Sequence, residues 1–322
     1  KRTIWIISTV PTQLWETMAL AVLVTCGLGL LYFASLPDIA TARENSSGKL
    51  GAIKKLNLSW KGNLTQWRIL QSGLFLLGVS YFLILTFQQT IFVSDFGLSM
   101  VPGWRDALFP AYHIVSSLQA GTALLTVSLF LLRKWGGLKD YIGLDTFKGL
   151  GRLLLVLTLL WFYFWWSSFI VLWYGRRPEE QLLLQLFVTG PNRPLFSLAL
   201  GLNFVLPFLL LLWSPIRKSV VGPVIVSVFI LFGTLFDRIR LFTAAFSVTD
   251  TGNVIKNLPP ARTPDIADIF ILMGGLAGMA LIYLLAIRFL PVLSFWEINQ
   301  GHSLETERQL GRRKLRMIAK PE

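Results

Sequence analysis

The chain has 322 residues, of which 54% are hydrophobic and only 15% charged, and its formal net charge is +13. A soluble domain carries about 25% charged residues, so too little charge is left here to clothe a water-facing surface. The basic residues are scattered through connecting segments rather than gathered on a soluble module, which fits membrane orientation and excludes nucleic acid as the expected partner.

Apolar runs near the 20 residues needed to cross a hydrocarbon core about 30 Å thick recur along the chain. Read in order, they predict an all-α, polytopic transmembrane bundle with spans at about 14–36, 67–93, 107–132, 149–174, 194–213, 219–246 and 266–290. The bundle occupies residues 1–298, and residues 299–322 form a basic tail, expected to be helical or without fixed structure. The opening run at residues 4–10 is too short for a span or a full signal peptide, and a first residue Lys1 leaves room for upstream sequence. The fourth span holds Trp161 to Trp166, an aromatic run whose middle is expected to pack on neighbouring helices, with Trp173 and Tyr174 at a lipid interface.

Loop charge sets a direction. Arg43, Lys49, Lys54, Lys55 and Lys61 fill the first connection, Arg133, Lys134, Lys139 and Lys148 the third, Arg217 and Lys218 the fifth, and six basic residues the stretch from Arg308 to Lys320. The positive-inside bias then places these on the cytoplasmic side, with the second, fourth and sixth connections outside. Arg176, Arg177 and Arg193 fit this least well, since they fall on the outer side. The tail fixes topology and is positioned to meet anionic membrane lipids.

One cysteine, Cys26, excludes an internal disulfide and a cysteine-ligated iron–sulfur cluster, which needs about four thiolates. His113 and His302 are too far apart in the predicted topology to clamp one intramembrane haem. No metal, haem or cluster is therefore expected in this chain, and any metal centre that exchanges electrons with it belongs to a partner.

Charges within lipid cost at least about 2.5–3.5 kcal/mol each by insertion scales and are functional suspects by default. Glu16 opens the first span, Asp95 closes the second, His113 lies about two turns into the third, and Asp237, Arg238 and Arg240 occupy the sixth. The predicted topology gathers all of them toward one leaflet. A carboxylate to exchange a proton, with a cation or imidazole to polarise an oxygen, is what proton-coupled redox chemistry requires. Taken one at a time, Glu16 also reads as an interfacial residue, Asp95 as a turn cap, His113 as a packing residue and Arg240 as a side chain snorkelling outward. Asp237 and Arg238 are neighbours and point about 100° apart on a helix.

Several stretches, in order over about 230 residues, resemble the polysulfide-reductase-type (NrfD-like) membrane subunits, particularly those of Alternative Complex III: Leu14-Trp15-Glu16 leading to Leu36-Pro37-Asp38-Ile39-Ala40 and Ala42-Arg43; Leu58 to Gly62 with Gln66-Trp67; Asp95 to Trp104 with Phe109 to Tyr112; Leu172 to Glu180 with Asn203 and Pro207-Phe208; and Asp237-Arg238. The resemblance implies a bacterial cytoplasmic-membrane subunit of a respiratory oxidoreductase. It would bind and oxidise quinol, menaquinol or ubiquinol, near the outer face and hold no permanent cofactor. Glu16, Asp95 and Arg238 would be catalytic, and His113, Tyr112, Trp104 and Asp237 would line the substrate pocket. The implied partners are an outer iron–sulfur protein, a paralogous membrane subunit and cytochrome c subunits. Two departures bear on this: Glu16 stands where the family often has aspartate, and Arg105 stands where it often has histidine after Pro-Gly-Trp. The family also has helices ahead of the first span here, with a pocket histidine that this sequence does not contain. The chain is then either a piece of such a subunit or a paralogue with an altered pocket. A structural or proton-conducting paralogue without its own quinol site, and a secondary solute transporter, are the competing readings. Gly274-Gly275 and Gly278 point only weakly to the last, because such glycines serve close helix contacts.

Overall fold

The computed structural model describes residues 12–45, 60–139, 141–248, 258–262, 264–289, 296, 305–310 and 313–318. Its long helices are α1 (Thr12–Asn45), α2 (Leu64–Phe96), α3 (Phe109–Trp135), α4 (Leu144–Gly175), α9 (Val221–Ser247) and α10 (Ile266–Phe289), with the short α5 (Pro178–Leu184), α6 (Arg193–Leu200), α7 (Leu206–Leu212) and α8 (Ser214–Arg217) between α4 and α9. Six stretches are long and apolar enough to cross a membrane, one of them the composite of α6 and α7. α9 matches them in length at 27 residues but carries Asp237, Arg238 and Arg240. The protein is a multi-pass membrane protein. Along α10 the large apolar side chains at 266, 270, 271 and 282 are each at least 70% exposed and lie on different faces, as expected of a helix surrounded by lipid.

Two compact units divide the chain. Unit 1 comprises residues 1–19 and 85–263, and unit 2 residues 20–84 and 264–322. In unit 2, α1 continues through Pro37 to Asn45, beyond the predicted end at 36. Pro37 removes one helical hydrogen bond. Trp296 lies against the same turn: its indole donates to the Ala34 carbonyl at 3.1 Å and its backbone N–H to Asp38 at 3.2 Å. The tail differs from the helical or unstructured expectation. Residues 305–310 and 313–318 pair as an antiparallel hairpin in the register Glu305↔Ile318 to Leu310↔Arg313. The signal in the sequence is the two-residue connection containing Gly311. His302 lies outside the described residues.

Unit 1 holds the core. α3 packs against α4 and α9, and α9 also packs against α6 and α7. The segment after α4, read from sequence as a loop, folds as α5 and a π-helical turn at Gln185–Thr189, burying Leu183, Leu186 and Phe187. Its start signal was present: Pro178 at the first helical position, Glu179 and Glu180 in the first turn, then an apolar run. The mid-helix aromatics of α4 do pack on neighbours. Phe162 stacks on Phe204 at 4.0 Å and Trp165 on Phe196 at 5.3 Å, while Trp173 and Tyr174 stay exposed.

A second π-helical turn, Gly201–Val205, joins α6 to α7. Pro207 has no N–H to offer the carbonyl four residues back, which belongs to Asn203. The Gln119 amide of α3 donates to that carbonyl at 3.1 Å and to Thr158 Oγ1 of α4 at 3.0 Å, tying three elements together. Opposite Asn203, α9 presents Gly233, where a Cβ would sit 2.8 Å from the Leu202 Cβ and 2.9 Å from the Asn203 backbone nitrogen. Because the close neighbours include backbone, the crowding cannot be relieved by a rotamer change. Gly233→Ala is expected to destabilise the protein by about 1–3 kcal/mol, read as a lowered unfolding midpoint in detergent, whereas Gly121→Ala, with open space around it, should leave that midpoint in place.

Candidate functional site

The sharp change of direction between α2 and α3 sets the site. Val101-Pro102-Gly103-Trp104 closes a turn with a Trp104 N–H to Val101 carbonyl bond of 3.2 Å and Gly103 at φ +79°, the pattern of a type II turn with proline second and glycine third. The turn delivers Trp104 into the core, 4.5 Å from the Phe109 ring and 4.6 Å from that of Phe187. Gly97, just beyond Asp95, allows the chain to pass Phe109, since a Cβ there would lie 3.0 Å from that ring and 2.7 Å from the Val93 carbonyl. Asp106 then accepts the Leu108 N–H at 2.9 Å and a hydrogen bond from the Ser168 hydroxyl of α4.

Below this turn lies a buried charge pair. Asp237 and Arg240 stand three residues apart on one face of α9 and meet at 2.7 Å. Tyr112 Oη donates to the other Asp237 oxygen at 2.7 Å, and Arg240 also donates to the Phe187 carbonyl of the first π-helical turn at 2.6 Å. The Arg240 guanidinium lies 5.3 Å from the Phe196 ring centre. Arg240 is 3% exposed, so the expectation that it snorkels to the surface is corrected. The reason is its spacing: three residues from Asp237 puts it on the carboxylate's own face, and an inward salt bridge replaces water. Trp104, Tyr112, Phe187 and Arg240, with Asp106 and Ser168, line a cavity of about 60 Å³. Ligand pockets run to about 300–1,000 Å³, so this space suits a few waters and not a quinone ring. Of the residues expected to line the pocket, Trp104, Tyr112 and Asp237 are thus engaged with one another's surroundings here.

A second group holds most of its bonding capacity unmet. Arg238 points away from Asp237, and its Nη2 donates to the His113 carbonyl of α3 at 3.4 Å. His113 is 5% exposed, with the rings of Phe92, Phe109 and Phe242 centred 6.0–6.3 Å from its own. Phe92 is three residues before Asp95 on α2, so His113 meets the helix face that carries Asp95. Glu16 of α1 is within range of the Asp95 charge. Buried atoms without a hydrogen-bond partner among the described residues include Glu16 Oε1, Asp95 Oδ2, both ring nitrogens of His113 and Arg238 Nη1. Gln89 Oε1, two turns before Phe96 on α2, shares this state; sequence reading passed over it because only ionisable side chains within the spans were singled out. Glu16, Asp95, His113 and Arg238 come from four helices, α1, α2, α3 and α9.

Helical geometry separates the two arginines: Arg240 forms an ion pair with Asp237, whereas Arg238 reaches only a backbone carbonyl, and each keeps one nitrogen without a partner among the described residues. Among the described residues no cluster of three or more His, Cys, Asp or Glu side chains is arranged to hold a metal ion. No protein-family model matches the chain, and no curated protein matches it either.

The buried pair gives a stability test. Asp237→Ala strands the Arg240 charge and is expected to cost about 3–5 kcal/mol, while Tyr112→Phe removes one hydrogen bond to a charged group and should cost about 1.5–3 kcal/mol. Chemical unfolding of the two variants in detergent checks both the size and the order of these losses.

Proposed function

We propose that this chain is the quinol-handling membrane subunit of a respiratory oxidoreductase of the polysulfide-reductase type, close to the membrane subunits of Alternative Complex III. The observation that carries the reading is the group of buried, unsatisfied acid, base and imidazole atoms on Glu16, Asp95, His113 and Arg238. Such atoms each forfeit about 1–3 kcal/mol, more when charged, unless a ligand completes them. A quinol supplies what they lack, since each hydroxyl donates to a carboxylate and its oxygen accepts from a guanidinium.

In this reading Arg238 holds a quinol oxygen and polarises it, and His113 orients the ring beside Phe92 and Phe242. As two electrons leave, Asp95 takes the two hydroxyl protons one after the other, and Glu16 passes each outward in turn. Menaquinol and ubiquinol both fit this chemistry. Electrons leave to an iron–sulfur protein docked on the outer loops, with a paralogous membrane subunit and cytochrome c subunits completing the assembly. Loop charge supports an orientation with the tail inside and the group near the outer leaflet, and the family resemblance implies a bacterial cytoplasmic membrane.

Asp95→Asn and Arg238→Ala, purified with their complex, are expected to lower quinol-dependent electron transfer by about 100-fold, the scale of a lost acid–base or charge-stabilising group. Unchanged turnover in both variants would leave the chain as a structural or proton-conducting paralogue of a quinol-active sister, and copurification without any cluster-bearing subunit would remove the oxidoreductase assignment.

A further inference from the structure

Beyond Tyr112, α3 continues to send polar side chains into the core of unit 1. Ser116 and Gln119 follow on the same helical face, each 0% exposed. α4 answers with Thr158 and Trp161, exposed at 0% and 1%. The rings of Tyr112 and Trp161 are 5.4 Å apart, and Gln119 bonds to Thr158 at 3.0 Å. The two helices therefore run in opposite directions here, and Ser116 falls between these two contacts, facing α4. Asn203, wholly buried, closes the far end through its carbonyl bond from Gln119 and an Oδ1 bond from Thr234 at 3.1 Å.

Four polar atoms in this column have no hydrogen-bond partner among the described residues: Ser116 Oγ, Gln119 Oε1, Trp161 Nε1 and Asn203 Nδ2. Unmet buried groups cost about 1–3 kcal/mol each, whereas apolar replacements of the same shape are close to neutral, so four on adjoining turns are not explained by packing. Their chemistry names the ligand class. Trp161 and Asn203 offer N–H donors, Gln119 an acceptor, and the Ser116 hydroxyl acts as either. A cation would face two N–H groups, and an anion would find no positive charge among the four. Water donates and accepts at once and makes about three hydrogen bonds when buried.

We propose that Ser116, Gln119, Trp161 and Asn203 bind a short chain of ordered waters that extends the cavity beside Tyr112 into the interior of the helix bundle. From Tyr112 to Gln119 the helix rises about 10 Å, roughly a third of a hydrocarbon core, so the chain carries exchangeable protons that far inward from the Asp237–Arg240 pair. None of these four residues belongs to the proposed quinol group.

Radiolytic hydroxyl labelling of the full chain in lipid nanodiscs, read residue by residue by mass spectrometry, tests this without measuring turnover. Radicals form from waters in place, so Trp161 should be oxidised despite its burial. The double variant Gln119→Leu/Asn203→Leu should lower that oxidation by about fivefold or more as the waters lose their partners. Ser116→Ala, a milder change, should lower it partially and serves if the double variant does not fold. Oxidation of Trp161 that is equal in wild type and in a folded variant, or no higher after correction for intrinsic reactivity than that of the apolar and equally buried Phe147, overturns the proposal.

Discussion

Lipid offers a carboxylate, a guanidinium or an amide nothing to bond with, so every polar group within the spans must be completed inside the protein. Unit 1 is arranged around that constraint. Asp237 has both oxygens occupied, by Tyr112 and by Arg240, and Arg240 in turn reaches the Phe187 carbonyl. The pair is neutral as a whole and joins α3, α9 and the first π-helical turn. With it in place, two of the three charges on α9 meet each other, while Arg238 Nη1 and Arg240 Nε have no hydrogen-bond partner among the described residues.

The same constraint explains where the backbone departs from regular helix. Both π-helical turns lie against a side chain that takes up a carbonyl: Arg240 at Phe187, and Gln119 at Asn203. A helix interrupted in lipid leaves carbonyls that cost several kcal/mol if unmet. Here the interruption and its remedy come from different helices, so α6 and α7 are held in register with α3 and α9 by polar contacts as well as by packed rings.

The spans were legible because a 20-residue apolar run has few alternative meanings, and the long helices lie where composition put them. What could not be read was anything decided by which way a side chain faces across helices. Arg238 and Arg240 differ by two positions and have the same chemistry, yet only the i, i+3 relation to Asp237 separates a structural ion pair from an available cation. Asp106 looked like a loop residue, and its bonds to Leu108 and Ser168 depend on α4 arriving from 62 residues away. Helix α5 was passed over because its run of seven residues is too short to register as a span, although its cap signals were in plain view. The stretch beyond Pro37 was read as part of the first connection because the apolar run ends there, whereas α1 runs on to Asn45. In the tail, the short connection at Gly311 announced a hairpin that the net basicity obscured.

The spacing of charges along α9 also bears on how such a chain is made. Asp237 and Arg240 are one turn apart on the same helix, so they can neutralise each other as soon as that segment coils, before any neighbour is present. Arg238 has no such local remedy, and its bond is to a carbonyl of α3. Helix α3 begins more than 100 residues ahead of α9, so its carbonyl acceptor has already been made when Arg238 is synthesised.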